Sequence, residues 1–120
     1  DPPPDIILPV SLKDGTVPPS CGRALARAMD LTHVEPIAEA VDSLPQTMSP
    51  LSGNHPSGAT AAYFQYDRVS QGTGVTQATH GNTPASLEGA FQLQEWVTSW
   101  LDDGRAVAID PYEALNTPEL

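Results

Sequence analysis

Apolar residues fall along the chain in two rhythms separated by long irregular stretches. Residues 5–11, Asp-Ile-Ile-Leu-Pro-Val-Ser, are almost continuously apolar, the pattern of a short strand buried on both faces. Pro9 removes one ladder hydrogen bond and so places that strand near a sheet margin. Lys13-Asp14-Gly15-Thr16-Val17-Pro18-Pro19 reads as a turn, with Ser20 positioned as an N-cap. The next ten residues have helical spacing: Leu25, Ala28 and Met29 form one narrow apolar stripe, with Arg23 and Arg27 on the outer face. From residue 32 to residue 58 scattered prolines predict mostly connecting loop, with room for one helical turn or a strand at 37–44.

Residues 61–67 carry Tyr63, Phe64 and Tyr66, which predicts a second strand. Residues 71–82, polar and punctuated by glycine, read as another loop, which contains His80. The last helix is the longest element. Thr83 is placed to cap it, Pro84 suits its first position, and Leu87, Ala90, Phe91, Gln94, Val97, Trp100 and Leu101 share its apolar stripe. Leu93 and Trp96 widen that arc, which predicts packing on a sheet of more than two strands. Trp96 and Trp100, four apart, read as core anchors. Asp102-Asp103-Gly104 stops the helix, and residues 106–109 form a strand-like coda. Strands alternating with helices give the α/β class.

Composition narrows what such a domain does. The 120 residues carry 15 acidic and 5 basic side chains, a net charge of −10. A surface with so few, isolated cations cannot neutralise a run of phosphates, which argues against nucleic-acid binding and against anionic membrane surfaces. No run approaches the roughly 18–20 apolar residues of a transmembrane helix. The single cysteine, Cys21, excludes an internal disulfide and cysteine-paired zinc sites. It begins a helix, but its apolar neighbours fit a small buried core residue. Histidine spacing gives no metal-binding pattern, and Gly72-Thr73-Gly74 lacks the rest of a phosphate-cradling loop, so no metal or cofactor is implied. A core drawn from 39% hydrophobic residues is thin for a chain standing alone, and the start Asp1-Pro2-Pro3-Pro4 reads as a piece of something longer.

The order strand, Asp14, helix, loop, strand, His80, helix carries the chemistry. In a doubly wound sheet, functional groups sit just past the carboxyl ends of strands. A carboxylate there can accept the Nδ1–H of a histidine and leave Nε2 to take a proton from a nucleophile. Asp14 before Gly-Thr-Val-Pro also fits a simple turn aspartate bonding its own backbone. His55 is a rival base, but it precedes the second strand, and His33 has no evident role.

Two stretches resemble α/β-hydrolases. Ile6-Ile7-Leu8-Pro9-Val10-Ser11-Leu12-Lys13-Asp14-Gly15-Thr16-Val17-Pro18, followed by Arg23-Ala24-Leu25-Ala26-Arg27-Ala28, is similar to the strand, Asp-x-x-Val-Pro turn and helix that carry the catalytic acid. Gln77-Ala78-Thr79-His80-Gly81 and the helix after it are similar to the catalytic-histidine loop and final helix, particularly of bacterial extracellular lipases and esterases. The resemblance implies that Asp14 is the triad acid and His80 the base, that the substrate is a small-molecule or lipid ester, and that the protein is secreted or held in the cell envelope. No serine has the Gly-x-Ser-x-Gly setting of the nucleophile elbow. Residues 1–120 are therefore expected to be the C-terminal segment of a catalytic domain, with its last strands and helices, inactive without an upstream nucleophile. The competing expectation is a small non-enzymatic extracellular or phage interaction or structural module, in which Asp14 and His80 have no reason to meet.

Overall fold

The computed structural model describes residues 3–120, so the first two residues of the proline-rich approach lie outside it. Nine elements follow in order: β1 (Ile6–Ser11), α1 (Pro19–Ala28), β2 (Thr32–Val34), β3 (Gln46–Thr47), β4 (Ala61–Tyr66), β5 (Arg68–Gln71), β6 (Gly74–Gln77), α2 (Leu87–Asp103) and α3 (Pro111–Leu115). Four strands form a parallel sheet in the order β1-β4-β2-β3, and β5 and β6 form a separate antiparallel hairpin. The chain is thus α/β with a parallel sheet. Among the described residues no helix is long and apolar enough to cross a membrane.

Successive strand residues point to opposite faces, and two clusters of buried side chains divide accordingly. On one face Ala61 and Tyr63 of β4 pack with Ala26 of α1, Leu31 and Leu44, flanked by Ile6, Leu8 and Val10 of β1. On the other Ala62, Phe64 and Tyr66 pack with Val34, Val69 and Tyr112, flanked by Ile7 and Trp96 of α2. All six residues of β4 are buried, which is why its aromatic run was readable as a strand. Gly22 lets α1 lie directly on β1: a Cβ there would stand 2.5 Å from Val10 Cγ2.

Several elements depart from the sequence expectations. β1 is only partly buried because it is the margin of the sheet, as Pro9 indicated, and Pro9 itself is exposed. α1 begins at Pro19 with Pro18 at its N-cap position and no side-chain cap, so Ser20 lies inside the first turn. Its inward residues are Gly22, Ala26 and Met29, while Leu25 and Ala28 are exposed. The proline-rich stretch holds β2, whose His33 and Val34 are fully buried, and the two-residue β3. The loop expected at 71–82 is half hairpin: Gly72, with φ 61°, turns β5 into β6. The coda at 106–109 contributes one antiparallel bridge, Ala108 to Leu51, and α3 follows it.

The largest difference concerns α2. Ser86, not Thr83, caps it, its hydroxyl accepting the Gly89 N–H at 3.0 Å. The residues it buries most deeply are polar: Glu88 and Gln92 are buried beside the partly buried Trp96, and Ser99 bonds the backbone of Val107 at 2.9 Å. Leu87, Leu93, Val97, Trp100 and Leu101 are exposed, so the predicted apolar stripe looks outward and Trp100 is not a core anchor. Helical spacing identified the helix but not which arc meets the sheet.

Candidate functional site

Parallel strands deliver their carboxyl ends to one side of a sheet, and β1 and β4 are neighbours in register, Ser11 opposite Tyr66. The turn after β1 carries Asp14, and the chain after β4 returns through the hairpin to His80. The two side chains meet: His80 Nδ1 lies 3.0 Å from Asp14 Oδ2, across 66 residues of sequence.

Asp14 does two things at once. Its Oδ1 accepts the N–H groups of Thr16 and Val17, both at 2.7 Å, closing the turn into α1. Its Oδ2 is left for His80. Turn aspartate and histidine partner, alternatives in the sequence, are therefore both true of one carboxylate. The Val17 N–H is the largest influence holding the Asp14 pKa below the usual carboxylate value, with His80 and the Thr16 N–H acting in the same direction against partial burial.

The His80 loop is held by its own side chains. Asn82 Oδ1 accepts the Thr79 N–H at 2.7 Å and Asn82 Nδ2 donates to the Gln77 carbonyl at 2.9 Å, so the residue two after His80 clamps the chain before it. The buried Ser11 hydroxyl donates to Thr83 Oγ1 at 2.8 Å, tying the end of β1 to this loop. An ionised Asp14 can only accept, so the neutral form of the imidazole carries its proton on Nδ1 toward Oδ2 and has a lone pair on Nε2. Nε2 makes no hydrogen bond among the described residues, and the His80 side chain is 55% exposed.

Beside the pair opens a groove of about 510 Å³. Its walls are mostly apolar, from Val10, Val17, Leu25 and Leu93, with Asp14 and His80 at one end. Cys21 also borders the groove and is exposed, not buried in the core as its neighbours suggested. No serine hydroxyl among the described residues bonds His80. The chain matches no protein-family model, no curated protein and no solved structure.

The other histidines lie elsewhere. His55 Nδ1 contacts Ser57 Oγ at 2.7 Å in the loop before β4, at the opposite end of the sheet. His33 is fully buried in β2, its ring edge-on to Tyr63 at 4.8 Å, and neither ring nitrogen has a partner. Desolvation lowers its pKa to about 4. Sequence reasoning missed Glu88, a fully buried carboxylate that accepts the Ser70 N–H and hydroxyl and the Thr117 hydroxyl at 3.0, 2.6 and 2.7 Å. It pins the hairpin and the C-terminal segment to α2. A lone glutamate one residue into a helix looks like a first-turn charge, and only its burial shows otherwise.

Proposed function

We propose that this chain is the acid- and base-bearing C-terminal part of an α/β-hydrolase that cleaves carboxylic esters, with Asp14 as triad acid and His80 as base. The observation that carries the reading is the 3.0 Å contact of His80 Nδ1 with Asp14 Oδ2, formed past the carboxyl ends of adjacent parallel strands. The apolar groove beside them supports it as a place for an acyl chain.

In this mechanism His80 Nε2 removes the proton of a serine hydroxyl supplied by a preceding segment of the polypeptide, as that oxygen attacks the ester carbonyl. The imidazolium then returns the proton to the departing alcohol, leaving an acyl-enzyme. Water, deprotonated by the same Nε2, attacks the acyl carbon, and the serine leaves with that proton as the acid is released. Asp14 stays ionised throughout, keeps the proton on Nδ1 and offsets the charge of the imidazolium. A secreted or envelope location belongs to the same proposal.

The test uses the product of the whole gene. A fluorophosphonate probe is expected to label one serine outside residues 1–120, and His80→Ala is expected to abolish both labelling and hydrolysis of short-chain p-nitrophenyl esters. A whole-gene product that is folded but neither labels nor hydrolyses the esters overturns the reading in favour of a non-enzymatic module.

A further inference from the structure

A second groove opens at the end of the sheet away from Asp14 and His80. β1 and β4 start side by side, Ile6 opposite Ala61, and the segments that enter them line this groove through Pro4, Asp5 and Gly58. Trp96 and Trp100 of α2 and Arg105 after it complete the walls, around a volume of about 530 Å³. Arg105 is half-buried, yet its guanidinium forms no ion pair among the described residues, whereas Arg23 pairs with Glu39 and Arg68 with Asp67. It lies over two glycines: a Cβ would stand 3.2 Å from Nη1 at Gly58 and 3.6 Å at Gly53. The missing side chains leave the room that the planar group takes up. Asp5 borders the same groove but is engaged elsewhere, its Oδ1 accepting the Thr60 N–H at 2.7 Å and its Oδ2 the Ala106 N–H at 2.9 Å. The cation is thus seated in the groove without an anion of its own.

We propose that this groove binds a small ring-bearing monocarboxylate, its carboxylate on Arg105 and its ring against Trp100. The guanidinium fork matches the two oxygens of a carboxylate and is more weakly hydrated than an ammonium, so the pair forms at modest desolvation cost. Trp100, 54% exposed and one turn beyond the partly buried Trp96, offers a large flat apolar surface in the same groove. A ring laid on it removes from water an area that the core does not cover. Charge sets the upper limit. One cation beside an ionised Asp5, on a chain of net charge −10, is matched to a single negative charge and not to a phosphate dianion or a phosphate chain. An aromatic acid and a sugar acid present the same two groups, a ring face and one carboxylate. The groove lies at the opposite end of the sheet from His80, and its ligand is independent of ester hydrolysis.

An NMR titration of the 120-residue chain tests it, because both of the chain's tryptophans line the groove and their indole N–H signals report its occupancy. Benzoate and glucuronate represent the two sources, with benzamide and glucose as their uncharged counterparts. At least one acid is expected to shift both indole signals saturably, with a Kd of about 1 mM, and the tighter of the two identifies the source. The uncharged counterpart of that acid is expected to bind at least about tenfold more weakly, and Arg105→Gln to weaken the acid by a similar factor. An uncharged counterpart that binds as tightly as its acid overturns the proposal, and this comparison needs no variant to fold. Indole signals that neither acid moves at about 50 mM overturn it as well. So do shifts confined to His80 and Cys21, which would put the acid in the other groove. Serine labelling of the whole-gene product is read separately, so the hydrolase and the carboxylate groove stand or fall apart.

Discussion

Asp14 presents one carboxylate oxygen to the backbone of its own turn and the other to His80, so the geometry that starts α1 also fixes which nitrogen of the imidazole holds the proton. Replacing the acid by its amide separates these duties. In Asp14→Asn the side-chain oxygen still accepts from Thr16 and Val17, and the amide nitrogen is left facing His80. A donor there forces Nδ1 to accept and moves the proton to Nε2. Nitrogen chemical shifts of His80 in the 120-residue chain are expected to show that tautomer exchange with little loss of stability. In the whole-gene product the same substitution is expected to lower kcat on esters by about 10³–10⁴-fold.

His33 makes stability depend on pH. Its pKa is about 4 in the fold against an ordinary value of 6.5, so the unfolded chain binds the proton more readily. Stability is therefore complete above pH 6.5 and falls as the pH drops toward 4, by about 2 kcal/mol at pH 5 from this residue. Urea unfolding at pH 7 and pH 5 measures the loss, and His33→Phe is expected to remove most of it. An unchanged pH dependence in the variant would show that the ring is not the source.

Glu88 is expected to be the costliest carboxylate to alter. Burial raises its pKa, but the Ser70 and Thr117 hydroxyls and the Ser70 N–H outweigh that and hold it below the ordinary value. Its contribution is present at neutral pH and is lost as the pH falls through its lowered pKa. Glu88→Gln puts an amide where an acceptor is required and is expected to cost about 2–3 kcal/mol, read as a lowered midpoint in thermal unfolding. Ser70→Ala, which leaves the N–H contact, is expected to cost about half as much or less.

Gly89 is the contact point between α2 and the loop that leads into it. A Cβ at this position would run into the Thr83 carbonyl, which is backbone and cannot rotate away. Gly89→Ala is expected to destabilise by about 1–3 kcal/mol and to shift the Thr83–Ser86 turn. Because Thr83 is bonded to Ser11, the amide resonances of β1's last residues are expected to move with it.

What the sequence made legible followed from strong local signals. β4 showed itself through three aromatic residues, and the Asp14 turn and His80 loop through their order relative to two strands and two helices. β2 stayed hidden because Thr-His-Val is three residues long, sits among prolines, and places a histidine where an apolar residue is usual. The β5–β6 hairpin was masked by polar residues, since Glu88, distant in sequence, is what satisfies Ser70. The caps were misassigned for a similar reason: Thr83 spends its hydroxyl on Ser11, leaving Ser86 to start α2.

The polar side chains that α2 buries also act as a key. A helix docked by leucines alone can roll or slip by a turn at modest cost, because one apolar contact substitutes for another. Tyr66 to Gln92, Gln92 to the Ile109 carbonyl, and Ser70 to Glu88 have no such substitutes. Advancing the helix by one residue swings them about 100° out of reach and strands their partners without water. Misdocked forms are thereby penalised during folding as well as in the finished protein, and α2 has a single rotational address on the sheet.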